Sequence, residues 1–296
     1  MQAVIDFAMA NNNEMIVIAG GRGLVGTPTA EAFRRAGYDV RALDRAAMDI
    51  CDEAAVARRL DDDRPGIVVN CAAFTKVDDC ETQLDHAMRI NADGAGILAR
   101  QAARTDAAFI HLSTDYVFDG RGTRPYREDD PTASMDALSA YGRSKLAGEQ
   151  AVLSNHPAPL IIRTAWVYGP HGPGFPNAIL RGAREKPRLK VVNDQTGSPT
   201  YAPDLAGAIV SLARRNTTGF VHVTNMGTCT WFEFAREIVR LSGLTTPVEP
   251  CTTAEFPRPA RRPAYSVLDN SRYVSLVGRP LRPWREAITD FMRSMA

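Results

Sequence analysis

The chain has 296 residues, 45% of them apolar, enough for one large or two closely joined domains with packed cores. Its 35 basic and 34 acidic residues leave a formal charge of +1, so no global field draws it to nucleic acid or an anionic membrane. Five scattered cysteines without a CxxC pair and five dispersed histidines argue against a disulfide framework or a closed zinc site, and no apolar run approaches the roughly 18 residues that span a bilayer.

Residues 1–13 end in Asn11-Asn12-Asn13 and read as an N-terminal tether. They lack a charged-then-apolar leader, which makes the cytoplasm the expected location. Met15–Ala19 is a short apolar run stopped by glycine, the pattern of a buried strand. A helical pattern follows to Ala36, closed by Gly37, and Asp39–Leu43 is the second strand. A helix over Glu53–Leu60 leads to a third strand at Ile67–Val69. One long helix is expected from about Asp79 to Arg104, then a fourth strand at Ala108–Leu112, a helix around Tyr141–Leu153 and a strand at Leu160–Arg163. Strands alternating with helices of this length predict right-handed βαβ units, an α/β fold with a doubly wound parallel sheet of the Rossmann kind over residues 14–169.

Beyond Gly169 the texture changes. Pro170, Pro173, Pro176, Pro187 and Pro199 interrupt the pattern, and the helices read at Phe175–Arg184, Pro203–Arg214, Thr230–Leu241 and Pro283–Met295 are separated by irregular stretches. Residues 170–296 are expected to form a smaller, mixed α/β lobe that binds substrate. The boundary is approximate, because chains of this architecture cross between lobes.

Directly after the first strand comes Gly20-Gly21-Arg22-Gly23-Leu24-Val25-Gly26, with glycines at 20, 23 and 26. A tight strand-to-helix turn, close backbone approach to a pyrophosphate and amides at a helix N-terminus give such a loop its use in dinucleotide binding. Tight turns use glycine anyway; the position between first strand and first helix favours the functional reading. The second strand ends Leu43-Asp44-Arg45. An acidic residue there bonds the adenosine ribose and favours NAD, whereas Arg45 or Arg22 would hold a 2′-phosphate and favour NADP. Both are present, so NADPH and NADH stay open. Asp49-Ile50 can cover the adenine, with helix capping by Asp49 or Asp52 an equal alternative. Asn70-Cys71-Ala72-Ala73 ends the third strand with small side chains, a flat ledge for the cofactor.

Tyr141-Gly142-Arg143-Ser144-Lys145 sets a tyrosine and a lysine at i and i+4 on one helix face. A phenol with a pKa of about 10 is a poor acid–base group near neutrality, and a neighbouring ammonium favours its ionised form. The plain alternative is a surface cation–tyrosine pair; the place of the segment, between the fourth and fifth strands, favours catalysis. The fourth strand ends Leu112-Ser113-Thr114-Asp115-Tyr116, where the Thr114 hydroxyl can polarise a substrate carbonyl or merely cap the turn. Trp166, after the fifth strand, is a sugar- or base-stacking surface or a core residue.

Together these segments resemble the dTDP-4-dehydrorhamnose reductase family of extended short-chain dehydrogenases, over nearly the whole chain. They include the glycine loop, Asn70–Thr75, Ser113–Gly120, Tyr141–Lys145 and Arg163–Gly169. In the second lobe, Val192–Thr200 and Pro259–Pro263 join them. The resemblance implies NAD(P)H-dependent reduction of the 4-keto group of dTDP-4-dehydro-L-rhamnose to dTDP-L-rhamnose. Carried over by position, Tyr141 donates the proton, Lys145 is its partner and holds the cofactor ribose, and Thr114 tunes the transfer. Asp115, Tyr116 and Trp166 would meet the sugar nucleotide. Gly20, Gly23, Leu24, Val25, Gly26, Asp44, Arg45, Asp49, Ile50, Ala72, Ala73, Phe74 and Thr75 would line the cofactor. The chain departs from the family in three places: Leu24 replaces a frequent glutamine, Pro28 replaces an acidic residue tied to metal-dependent pairing, and Pro131–Ala140 is longer and lacks Pro-x-Asn. No metal is therefore expected, and a homodimer stays open. The alternatives are a 4-ketoreductase for another nucleotide-linked deoxysugar and a non-catalytic, dinucleotide-binding regulatory subunit.

Overall fold

The computed structural model describes residues 14–295, and the tether read over residues 1–13 lies outside them. The first half alternates strand and helix: β1 (Met15–Ala19), α1 (Gly26–Arg35), β2 (Asp39–Leu43), α2 (Glu53–Asp63) and β3 (Ile67–Asn70). It continues with α3 (Leu84–Met88), α4 (Ala95–Arg104), β4 (Ala108–Thr114), α5 (Ala140–Asn155) and β5 (Leu160–Thr164). After these come β6 (Val167–Tyr168), α6 (Phe175–Glu185), β7 (Leu189–Val192), β8 (Thr196–Gly197), β9 (Thr200–Tyr201), α7 (Ala202–Ala213) and β10 (Gly219–His222). The last elements are β11 (Cys229–Thr230), α8 (Trp231–Ser242), β12 (Val248–Cys251), α9 (Ser271–Val277) and α10 (Trp284–Ser294).

Six strands form one sheet in the order β2-β1-β3-β4-β5-β10, all parallel. A parallel sheet is covered on both faces, which is why its strands read as apolar runs rather than alternating ones. On one face, α1 and α7 pack Phe33, Leu205 and Ile209 over Ile16, Ile18 and Ile162. On the other, α2 and α4 pack Val56, Leu60, Leu98 and Ala102 over Val17, Val68 and Phe109. The chain moves outward from β1 to β2, then returns to place β3 on the other side of β1. That reversal opens a crevice beyond the carboxyl ends of β1 and β3, the ligand side of such sheets.

Residues from beyond Gly169 return to this sheet: β10 pairs with β5, and α7 and α9 contribute Leu205, Ile209 and Tyr273 to its core. The remainder forms a second cluster in which α6, α8 and α10 enclose Tyr168, Phe234, Trp284 and Phe291. The strand pairs β7–β12, β8–β11 and β6–β9 edge it. Helix α8 carries its own start and stop signals. Thr230 and Glu233 form a reciprocal capping box, and Gly243 closes the helix at φ +71°.

The long helix expected over 79–104 is divided. A 3₁₀ turn (Asp79–Glu81), α3, a π-helical turn (Arg89–Gly94) and α4 occupy that span. Asn91, Asp93 and Gly94 are weak helix formers, and packing at this point breaks the period. At Gly94 an added Cβ would lie 2.8 Å from Ile50, and at Gly148 one would lie 2.1 Å from the Asn91 carbonyl oxygen. The wider turn thus presses directly on the backbone of α5 and points Asn91 inward.

Candidate active site

The glycine loop is shaped by close approach. Gly20 has φ +70°, and a Cβ there would sit 2.7 Å from the Ala72 nitrogen at the end of β3. At Gly26 a Cβ would come within 2.0 Å of the Gly20 carbonyl oxygen, so only glycine lets α1 begin here. No side chain caps α1. The residues leading into it, Gly23 exposed and Leu24 and Val25 half-buried, end at an uncapped, partly positive helix N-terminus. A side chain at 20 or 26 would strike the backbone that closes this turn, and the tight turn with its free amides fits a dinucleotide pyrophosphate.

At the end of β2, Asp44 accepts the Ala47 N–H at 3.0 Å and pairs with the exposed Arg22 at 3.1 Å. Arg45 instead pairs with Asp49 at 3.2 Å. Asp49 also accepts the Cys51 N–H, and that bond holds its carboxyl below the usual range. Asp52 caps α2 by accepting from Ala55. Ile50 is 5% exposed and belongs to the core beneath α4. Asp49 and Ile50 thus shape the turn.

Phe74 and its neighbours Ala73 and Thr75 follow β3 as a ledge, fixed by a residue that spacing did not reveal. Asn91 accepts the Phe74 N–H at 2.8 Å through Oδ1, and its amide donates to the Phe74 carbonyl and to Ser144 Oγ. Ser144 in turn donates to the Tyr141 carbonyl at 2.8 Å. One buried amide therefore ties the ledge after β3 to the helix bearing Tyr141.

Helix α5 starts at a Ser139 cap and brings Tyr141 and Lys145 into the interior, 9% and 2% exposed. Gly142 permits this, since a Cβ there would meet the Tyr116 carbonyl oxygen at 2.5 Å. Burial pushes the Tyr141 phenol well above its ordinary value, the neighbouring Thr114 hydroxyl pulls it down, and Asp115 pushes it further up. Lys145 follows one turn later on the same helix. Its nitrogen donates to the Leu112 carbonyl at 2.7 Å, and burial brings the amine down to about 8. The amine is thus tied to the backbone of β4.

Thr114 donates to Asp115 Oδ1 at 3.0 Å and accepts from the Tyr116 N–H. Asp115 is 2% exposed, and burial lifts its carboxyl to about 6. The Tyr116 ring meets Tyr141 edge-on at 5.4 Å. Trp166 has φ +48° and stacks on Trp231 at 3.5 Å, with Gly197 so close that a Cβ would lie 2.5 Å from the indole. The structure thus gathers Thr114, Asp115, Tyr116, Tyr141 and Lys145, while Trp166 stands at the junction with the second lobe.

The second lobe reaches back across this region. Asp78 accepts from Arg258, from Arg262 and from the Ala260 N–H, so the 258–262 segment is pinned to the turn after β3. Beneath the site, Glu149 accepts from Ser113 at 2.6 Å and forms a two-point bond with Arg163, both nearly fully buried. No helix among the described residues is long and apolar enough to cross a membrane.

Comparison with known proteins agrees with this architecture. Residues 14–296 match the family model described as the RmlD substrate binding domain. The chain is 43% identical over 278 residues to the spore coat polysaccharide biosynthesis protein SpsK of Bacillus subtilis, covering 94% of this chain and 96% of that one. It is 43% identical over 297 residues to dTDP-4-dehydrorhamnose reductase of Mycobacterium tuberculosis, covering 97% and 95%. The solved structure of dTDP-4-dehydrorhamnose reductase from Bacillus anthracis, in complex with NADP, superposes with a TM-score of 0.91 at 36% identity over 95% of this chain and 99% of that one.

Proposed function

The chain belongs to the dTDP-4-dehydrorhamnose reductase family, and from that premise we propose that it reduces the 4-keto group of dTDP-4-dehydro-L-rhamnose to give dTDP-L-rhamnose. It is an NAD(P)H-dependent oxidoreductase, and the reading that Tyr141, Lys145 and Thr114 carry its chemistry rests on one observation. A tyrosine and a lysine one turn apart on α5 are both buried against the end of β4, the lysine bonded to the Leu112 carbonyl and the tyrosine edge-on to Tyr116 just beyond the strand.

Gly20, Gly23, Leu24, Val25 and Gly26 would hold the pyrophosphate, Asp44, Arg45 and Arg22 the adenosine end, and Ala72, Ala73, Phe74 and Thr75 the face of the cofactor. When bound, the reduced nicotinamide supplies a hydride to the keto carbon. Tyr141 gives its proton to the keto oxygen as charge gathers there. A phenol kept neutral by burial is in the right state to donate, since the unionised form carries the proton. Thr114 would share the polarisation of that oxygen, and Lys145 would hold the cofactor ribose. The second lobe supplies the sugar-nucleotide side, with Asp115, Tyr116 and Trp166 facing it.

Purified protein mixed with NADPH or NADH and a dTDP-4-keto-6-deoxy sugar is expected to consume the reduced cofactor, and Tyr141→Phe to lose roughly 10²–10⁴-fold in kcat. No oxidation with any thymidine- or uridine-linked keto sugar, under either cofactor, would overturn the reading.

A further inference from the structure

His111 lies on β4, wholly buried, and the chemistry above makes no use of it. Its ring stands between two polar groups. On one side the Asn70 Nδ2 lies 3.1 Å from Nδ1, and on the other the Lys145 Nζ lies 3.5 Å from Nε2. The amide cannot be turned round, because Asn70 Oδ1 accepts the Ala72 N–H at 3.0 Å. Its NH₂ group must face the ring. A neutral imidazole has one donor and one acceptor nitrogen, so Nδ1 is the bare one and the proton sits on Nε2. Burial, and behind it the Lys145 charge, keep the ring from taking a second proton.

We propose that His111 is a positioning residue for Lys145: it aims an N–H at the lysine nitrogen, which can accept that bond only as the uncharged amine. The proposal rests on the reading of Lys145 as the partner of Tyr141 and of the cofactor ribose. An ammonium has no lone pair, so protonation sets two donors against each other inside the sheet. The other groups facing the lysine work the opposite way. Glu149, one turn along α5 and locked to Arg163, favours the ammonium, as does Cys71 after β3, while Tyr141 lies one turn before it. Burial outweighs both, and the amine comes down to about 8. The bond from His111 adds to that tendency and leaves a lysine able to exchange its proton near neutral pH, still anchored through the Leu112 carbonyl.

The chain has four lysines, so ¹³C labelling at their ε-carbons yields a spectrum simple enough to titrate Lys145 directly, with Lys145→Met for assignment. Long-range ¹⁵N spectra of the histidine rings report the tautomer in the same cofactor-free protein. The native protein is expected to show His111 protonated at Nε2. His111→Asn keeps an acceptor for Asn70 but has no N–H that reaches the lysine, and the Lys145 midpoint is expected to rise by about half a unit or more. The alkaline limb of kcat/KM should move with it, which mere loss of packing would not produce. A native Nδ1–H tautomer, or a lysine midpoint unmoved in the variant, overturns the proposal. A native protein that turns over no keto sugar would remove the reductase reading instead, and the two spectra would still decide this one.

Discussion

Asp115 is a carboxyl 2% exposed whose Oδ2 has no well-aligned partner among the described residues, and burial, partly offset by the nearby Ser266 hydroxyl, raises it to about 6 from an ordinary value near 3.8. The folded state therefore holds this proton more tightly than the unfolded chain. With the folded value raised, its contribution is most favourable below about pH 4 and is lost as pH rises through about 6. At neutral pH the ionised carboxylate destabilises the fold, a pattern common where a site is built for a ligand rather than for stability. Asp115→Asn keeps the acceptor for Thr114 and removes the charge. It should stabilise the protein by on the order of 1–3 kcal/mol at pH 8 and by almost nothing at pH 4, while lowering activity. Urea midpoints of the two proteins at the two pH values measure this, and an equal gain at both would show that the charge is not the cause.

At the scale of elements, the site depends on α5 lying flush against its neighbours, and two glycines set that distance. Gly148 rests on the Asn91 carbonyl of the π-helical turn, and Gly142 on the carbonyl of Tyr116. Gly148→Ala would gain helix propensity by about 1 kcal/mol in an exposed helix. Here its methyl would lie 2.1 Å from a backbone oxygen, which cannot rotate away. The expected result is a net loss of about 1–3 kcal/mol and a fall in kcat, because Asn91 also fixes Phe74 and, through Ser144, the backbone of Tyr141. Thermal denaturation and steady-state rates together check it, and a variant more stable than the parent would contradict the packing argument. The same contacts mark how far the sequence could be read. The glycine loop, the alternation of strands and helices, and the Tyr141–Lys145 spacing are local patterns, and local patterns survive in a single chain. Asn91, His111, the Glu149–Arg163 pair and the Trp166–Trp231 stack act across separations of 14 to 65 positions. No periodicity announces them. The π-helical turn was hidden for a related reason, since the α5 backbone it packs against lies more than fifty positions away. The second lobe was least legible because β6, β8, β9 and β11 are two-residue pairings too short to leave a pattern.

For the whole molecule the question is whether the dinucleotide-binding half stands alone. The texture of the sequence changes at Gly169, yet the sheet does not end there. Helix α7 covers α1 and the face formed by Ile16, Ile18 and Ile162, and β10 completes the sheet beside β5. A chain ending at Gly169 would lose Leu205, Ile209, Leu212, Val221 and Val223, each essentially unexposed in the full structure. At about 1.5–3 kcal/mol for each buried side chain of this size, the loss is comparable with the roughly 5–15 kcal/mol by which a domain is stable at all. Phe33, buried completely beneath α7, would be left open to water. Residues 14–169 alone are therefore expected to show no cooperative thermal transition and to aggregate, even though they contain the glycine loop, Tyr141 and Lys145. Calorimetry of that fragment, with and without NADPH, is the measurement. A sharp transition that rises on adding the cofactor would mean that the first half is an independent domain, and that α7 and β10 cover the sheet without being needed to hold it.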